Sequence, residues 1–185
     1  MGVPKAALLT RDGDSFITRI VKTLRDAHVE DLVIITGRHH DAVIDALTRD
    51  RVVPPPRMVR NPDPSRGQLS SLHVGMDAVV TSRTEALMMT LVDVPLVHLA
   101  TVVAVIDEWR HSRAPIVRPA IGDRHGHPVI FDRAVFEEIR RAPLDAGAKS
   151  VVRAHEHEIV NVPVDDEGCV RDVDTPSDYE ALRRM

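Results

Sequence analysis

The chain is 185 residues long, carries a net charge of -4, and contains 3% aromatic residues and one cysteine. A single domain of this size buries roughly 70% of its unfolded surface. The negative charge argues against nonspecific binding to nucleic acid or anionic membrane, and the few aromatics against a stacking platform for single strands. Cys169 stands alone, which argues against a disulfide framework or a cysteine zinc cluster and suits the cytoplasm.

Lys5 lies in Pro-Lys-Ala-Ala-Leu-Leu, ahead of a turn at Asp12-Gly13-Asp14. Ser15 is placed to cap a helix that carries Phe16, Ile17, Ile20, Val21 and Leu24 on one face. Residues 32–36, Leu-Val-Ile-Ile-Thr, read as a buried strand, and Asp41 as the cap of a helix burying Val43, Ile44 and Leu47. Three consecutive prolines from Pro54 make a surface connector, because neither a helix nor a central strand tolerates them. A short strand comes next at 58–61, then a polar loop feeds a helix running to about Val80. Ser70 and Ser71 fall in its first turn, where free N–H groups favour an anion and where serines also serve as ordinary caps.

Residues 86–95, Ala-Leu-Met-Met-Thr-Leu-Val-Asp-Val-Pro, read as a strand buried on both faces that stops near Asp93, since Pro95 cannot donate to a ladder. A carboxylate beyond the end of a buried strand is placed to hold a divalent cation beside phosphates, or simply to end the strand or cap a helix. A helix is expected over 99–111, strands at 116–117 and 128–131 around a loop at 122–127, and a helix capped by Asp132. Another short helix over 147–155, an edge strand at 159–162, and a terminal helix with Thr175 as cap and Pro176 in its first turn complete the pattern. No apolar run approaches the ~18 residues of a membrane span. The pairs His39-His40, His125-x-His127 and His155-x-His157 lack evident third and fourth ligands for zinc. Alternating strands and helices with short links predict a three-layer α/β domain with a mostly parallel sheet spanning residues 1–185.

Six segments in one order resemble a known family. They are Met1-Gly-Val-Pro-Lys5, Asn61-Pro62 with Gly67-x-x-Ser70-Ser71-Leu72, Leu91-Val92-Asp93-Val94-Pro95, Gly126-His127-Pro128-Val129, Leu144-Asp145-Ala146-Gly147-Ala148, and Asp172-Val-Asp174-Thr175-Pro176-x-Asp178. Together they resemble the MobA-like nucleotidyltransferases, close to the molybdenum-cofactor cytidylyltransferase branch. The resemblance implies the Rossmann-like fold of the nucleotide-diphospho-sugar transferases, of GT-A type. It also implies Mg²⁺-dependent transfer of NMP from an NTP (CTP or GTP) to a phosphorylated acceptor such as molybdopterin, with a molybdoenzyme as partner. By the same resemblance Asp93 holds Mg²⁺ with Asp174 or Asp172, and Lys5 neutralises phosphate. Asn61, Gly67, Ser70 and Ser71 lie near the nucleotide, and His127 on the acceptor side. Two rivals share the pattern: a relative that binds nucleotide or cofactor without turnover, and a sugar-phosphate nucleotidyltransferase.

The chain departs from the family in two respects. Members carry a first strand and a Gly-rich loop of the type Leu-Ala-Ala-Gly-x-Ser-x-Arg just before Met-Gly, and Leu144 replaces a family glycine. Without that strand the sheet is expected to show two unpaired edges and a trench in the core. Without that loop the triphosphate loses backbone donors, so negligible transfer is expected of residues 1–185 alone.

Overall fold

Ser15 caps as its position predicts: its Oγ accepts the Thr18 N–H at 3.3 Å and opens α1 (Phe16–Asp26). Its own N–H and hydroxyl donate to Asp50 Oδ2 at 2.8 and 2.6 Å. Burial alone would raise the Asp50 pKa, but the hydrogen bonds from Arg49 and Ser15 outweigh it and hold the carboxyl well below its ordinary range. The computed structural model describes residues 3–144 and 147–184, so Asp145 and Ala146 of the fifth motif lie outside the described residues.

The elements then alternate: β1 (Val33–Thr36), α2 (His40–Arg49), β2 (Arg57–Arg60), α3 (Gln68–Val79), β3 (Ala86–Met89), α4 (Leu99–Ser112) and β4 (Ile116–Ile121). A hairpin gives β5 (Arg124–His125) and β6 (Val129–Asp132), followed by α5 (Phe136–Arg141), α6 (Lys149–Ala154), β7 (Ile159–Pro163) and α7 (Pro176–Arg184). Several details differ from expectation: β4 runs on to Ile121 and pairs there with β5 inside the expected loop, Asp132 caps a 3-10 turn ahead of α5, and Ile44, expected inside, is exposed. His39 rather than Asp41 is the N-cap residue of α2, with Asp41 in the first turn. The strand expected to reach Asp93 ends at Met89, because its neighbour β6 ends opposite it at Val129 and the next residue there, Pro128, has no N–H to donate.

Pairing explains the layers. Ile116 faces Phe131 and Val117 faces Ile130 across the antiparallel β4–β6 ladder, and successive residues point to opposite faces. Ile116 and Phe131 pack with Leu69 and Met76 of α3 and Ile139 of α5, whereas Val117 and Ile130 pack with Val105 of α4. β7 joins β4 in parallel, and β3 pairs antiparallel with β6. Thus β3, β4 and β7 share one direction and the hairpin strand β6 runs against them. The result is the α/β class expected, with a mixed ladder where the hairpin is inserted. No helix is long and apolar enough to cross a membrane among the described residues.

The sheet is in two parts. Among the described residues β1 pairs only with β2, in parallel, while β3 opens a separate five-stranded sheet. A cavity of about 920 Å³ lies between the β1 and β3 edges, lined by Val33 to Thr36 on one wall and Leu87 to Thr90 on the other. This is the expected trench. It explains why the four residues of β3, apolar as they are, remain half-buried rather than buried.

Candidate active site

The site is assembled where the turn after β3 meets the segment leading into α7. Val94 and Val97 are buried and anchor that turn, and the Asp93 carbonyl accepts the Val173 N–H at 2.9 Å. Val173, buried with Leu8, Phe16 and Leu182, carries an acid on either side, so one main-chain hydrogen bond brings both Asp172 and Asp174 alongside Asp93. Thr175 and Asp178 fix the other end. Asp178 Oδ2 accepts the Thr175 N–H and hydroxyl at 2.8 and 2.7 Å, and Thr175 Oγ1 accepts the Asp178 N–H at 3.2 Å, a reciprocal cap. Those bonds, the Thr175 hydroxyl first, hold the Asp178 carboxyl below its ordinary range.

Lys5 sits in a 3-10 turn, Lys5–Ala7, and crosses to this cluster. Its Nζ lies 2.5 Å from Asp174 Oδ1 and 3.9 Å from Asp93 Oδ2. Asp93 Oδ1 is buried and has no hydrogen-bond partner among the described residues. Burial raises the Asp93 pKa, repulsion from Asp172 adds to it, and Lys5 opposes. A carboxylate oxygen so placed is suited to accept a cation. No group of three His, Cys, Asp or Glu side chains suited to a metal is present among the described residues. What the site offers is a pair of carboxylates with open positions, which matches Mg²⁺ better than a caged ion, since Mg²⁺ keeps water and phosphate oxygens for most of its shell.

His127 approaches from the sheet. Its N–H donates to the Cys169 carbonyl at 2.8 Å, and its Nδ1 stands 3.5 Å from the Met89 carbonyl, at the limit of a hydrogen bond. Burial lowers the His127 pKa against the pull of the Met89 carbonyl and of Asp93 and Asp172, which favours the uncharged ring. Gly126 permits this approach, because a Cβ there would stand 2.3 Å from the Cys169 carbonyl oxygen. Cys169 is no nucleophile: burial pushes its thiol up to about 11.

The nucleotide-side candidates form a second group. Asn61 is buried and donates through Nδ2 to Ser70 Oγ at 2.9 Å and to Ser71 Oγ at 3.0 Å. The Ser70 hydroxyl donates to the Gly67 carbonyl at 2.7 Å, so its hydrogen is spent inside the helix start. Ser71 instead lines the large cavity, alongside Lys5 and Asp174. Gly67, at a φ of +87°, makes the entry to α3 that only a glycine adopts without strain. Sequence reasoning passed over Arg38 and Arg60, which with Asn61 and Asp63 line a cleft of about 230 Å³. The signal was there in Gly37-Arg38 directly after a buried strand. It also passed over Thr90, whose hydroxyl is buried without a partner beside the trench. Two other histidines serve structure: His155 bridges Glu138 and Glu158 at 2.8 Å each, and His40 Nδ1 is 2.6 Å from Thr36 Oγ1.

Residues 1–159 match the MobA-like NTP transferase domain. Among solved structures, Rv0371c from Mycobacterium tuberculosis H37Rv is 31% identical with a TM-score of 0.84, covering 100% of this chain and 91% of that one. Its complex with manganese aligns at 30% identity and a TM-score of 0.80, covering 100% and 94%. Molybdopterin-guanine dinucleotide biosynthesis protein A from Archaeoglobus fulgidus shares the fold at 15% identity and a TM-score of 0.66, covering 99% and 90%. No curated protein matches.

Proposed function

The chain belongs to the MobA-like NTP transferase family, and from that premise we propose that it transfers NMP from CTP or GTP to a phosphorylated pterin of the molybdopterin type, with Mg²⁺ at Asp93. An oxygen of the acceptor phosphate attacks the α-phosphorus, the bond from that phosphorus to the bridging oxygen breaks, and pyrophosphate leaves with the electron pair. No residue is acylated or phosphorylated in this step, so catalysis is positioning and charge neutralisation. The observation that carries the reading is the buried, unpartnered Asp93 Oδ1 beside Asp172 and Asp174.

Each residue has a defined task. Asp93 with Asp174 or Asp172 would hold the metal, which when bound would neutralise phosphate charge as it builds. Lys5 supplies a second positive charge to the phosphates. Ser71 and the first turn of α3 meet the nucleotide, Asn61 fixing the Ser71 hydroxyl in place. Neutral His127 faces the acceptor as a hydrogen-bonding group rather than a charge. A molybdoenzyme that receives the finished cofactor is the macromolecular partner this chemistry calls for.

The test is pyrophosphate release with CTP or GTP, with and without Mg²⁺ or Mn²⁺, and with molybdopterin or a sugar phosphate as acceptor. Release is expected only when nucleotide, metal and pterin are all present. Equal release with the sugar phosphate would move the acceptor to the sugar class, and metal-independent release would refute the role of Asp93.

A further inference from the structure

We propose that Lys5 is the resident counter-cation of Asp93 and Asp174 and that a divalent metal displaces it, so that metal binding and the swing of Lys5 toward nucleotide phosphate are one exchange. The inference rests on the metal reading above and concerns what the chain does before the metal arrives. Lys5 faces two acids, Asp174 at 2.5 Å and Asp93 at 3.9 Å, and Asp172 is near enough for its charge to act on Asp93. A single ammonium cannot balance three carboxylates. It also leaves Asp93 Oδ1 without a hydrogen bond, since the nearer Asp93 oxygen is already beyond hydrogen-bond reach.

The ammonium is placed to let go. The Lys5 side chain is 32% exposed and that of Asp174 65% exposed, and ion pairs so exposed are weak. The backbone beneath it is held, because the Lys5 carbonyl accepts the Leu8 N–H at 3.0 Å and Leu8 is buried. Ala6 and Ala7 pack against the α1–α2 core. A lysine stem is long and flexible and its head is a point charge, so the side chain can turn while the turn of backbone stays. Lys5 and Ser71 line the same cavity, which puts the released ammonium on the side where the nucleotide is proposed to lie. A dication that takes both carboxylates therefore repels Lys5 toward the very anion it must meet.

The experiment is a Mn²⁺ titration followed by the free-ion EPR signal, in the absence of nucleotide, on the parent chain, Lys5→Met and Lys5→Gln, each matched to the parent by circular dichroism. Both variants should bind Mn²⁺ roughly five- to tenfold tighter than the parent, the scale of one or two partly exposed ion pairs. Both should bind CTP or GTP more weakly once Mn²⁺ is present. In the parent chain, independent of any variant, Mg²⁺ should shift the Lys5 side-chain amine resonance. Variants that bind Mn²⁺ no tighter than the parent, or an amine resonance that Mg²⁺ leaves in place, would overturn the exchange while leaving the metal reading intact. Failure of all three proteins to bind Mn²⁺ would remove the metal reading and the exchange with it.

Discussion

Asp93→Asn will lower kcat for pyrophosphate release by ~10²-fold or more, the scale for losing one preorganised stabiliser of transition-state charge. The neutral amide keeps the shape of the carboxylate and loses only its hold on the metal. Stability should not fall with activity. The native carboxylate is half-buried, repelled by Asp172 and met by Lys5 only at 3.9 Å, so its charge opposes folding as the chain stands. The thermal midpoint of Asp93→Asn should therefore equal or exceed that of the parent when both are measured without metal. Retained metal-dependent turnover would show that the cation is held elsewhere, and a sharp loss of stability would show that Asp93 is a structural residue.

Gly126→Ala is expected to destabilise the chain strongly. A methyl at this position would stand 2.3 Å from the Cys169 carbonyl oxygen, 2.7 Å from its carbon and 3.0 Å from its Sγ. Two of those atoms are backbone, and they belong to a residue that is itself fully buried, so no flexible side chain can yield. Relief requires the two segments to part, which breaks the His127 N–H bond to the same carbonyl. The expected cost is about 3 kcal/mol or more, at the upper end of overpacking penalties, read as a shift in the urea midpoint. Gly75→Ala is the matched comparison. Its Cβ would meet Ile35 at 3.4 Å, ordinary contact, in the middle of α3, where alanine gains about 1 kcal/mol in helix propensity. Equal costs at the two positions would mean that the close approach at Gly126 is not what demands glycine there.

Much of this was legible in the residues because local rules and tertiary packing agree. Ser15, Thr175 and the apolar face of α1 behave as their spacing predicts, whereas the carboxylates at 93, 172 and 174 are grouped by the family resemblance rather than by any local pattern. Where the reading fell short, the deciding partner lies far along the chain. β3 stops at Met89 because of Pro128, just ahead of the strand it pairs with. Arg38 and Arg60 meet at one cleft because β1 and β2 pair in parallel, a register no local pattern encodes.

The divided sheet has a consequence for cooperativity. α1, β1 and α2 share a core of Ile17, Val21, Ile34, Val43 and Leu47, while the larger sheet gathers a core around Ile116, Phe131 and Ile139. No strand ladder joins the two bodies among the described residues. A cluster linking α1 to α4 through Ile20, Leu24 and Val102 is one of the bridges between them. Without a shared ladder, each body can open on its own. Amide exchange should accordingly be fast and concerted across β1 and β2 and slow across β4 and β6, and urea should melt the chain in two steps. Asn61 belongs to the first body while Asp93 and Asp174 belong to the second, so a nucleotide that touches both would act as the missing tie. Saturating nucleotide and metal should then merge the two steps into one, because a ligand that requires both bodies folded penalises the state in which only one is.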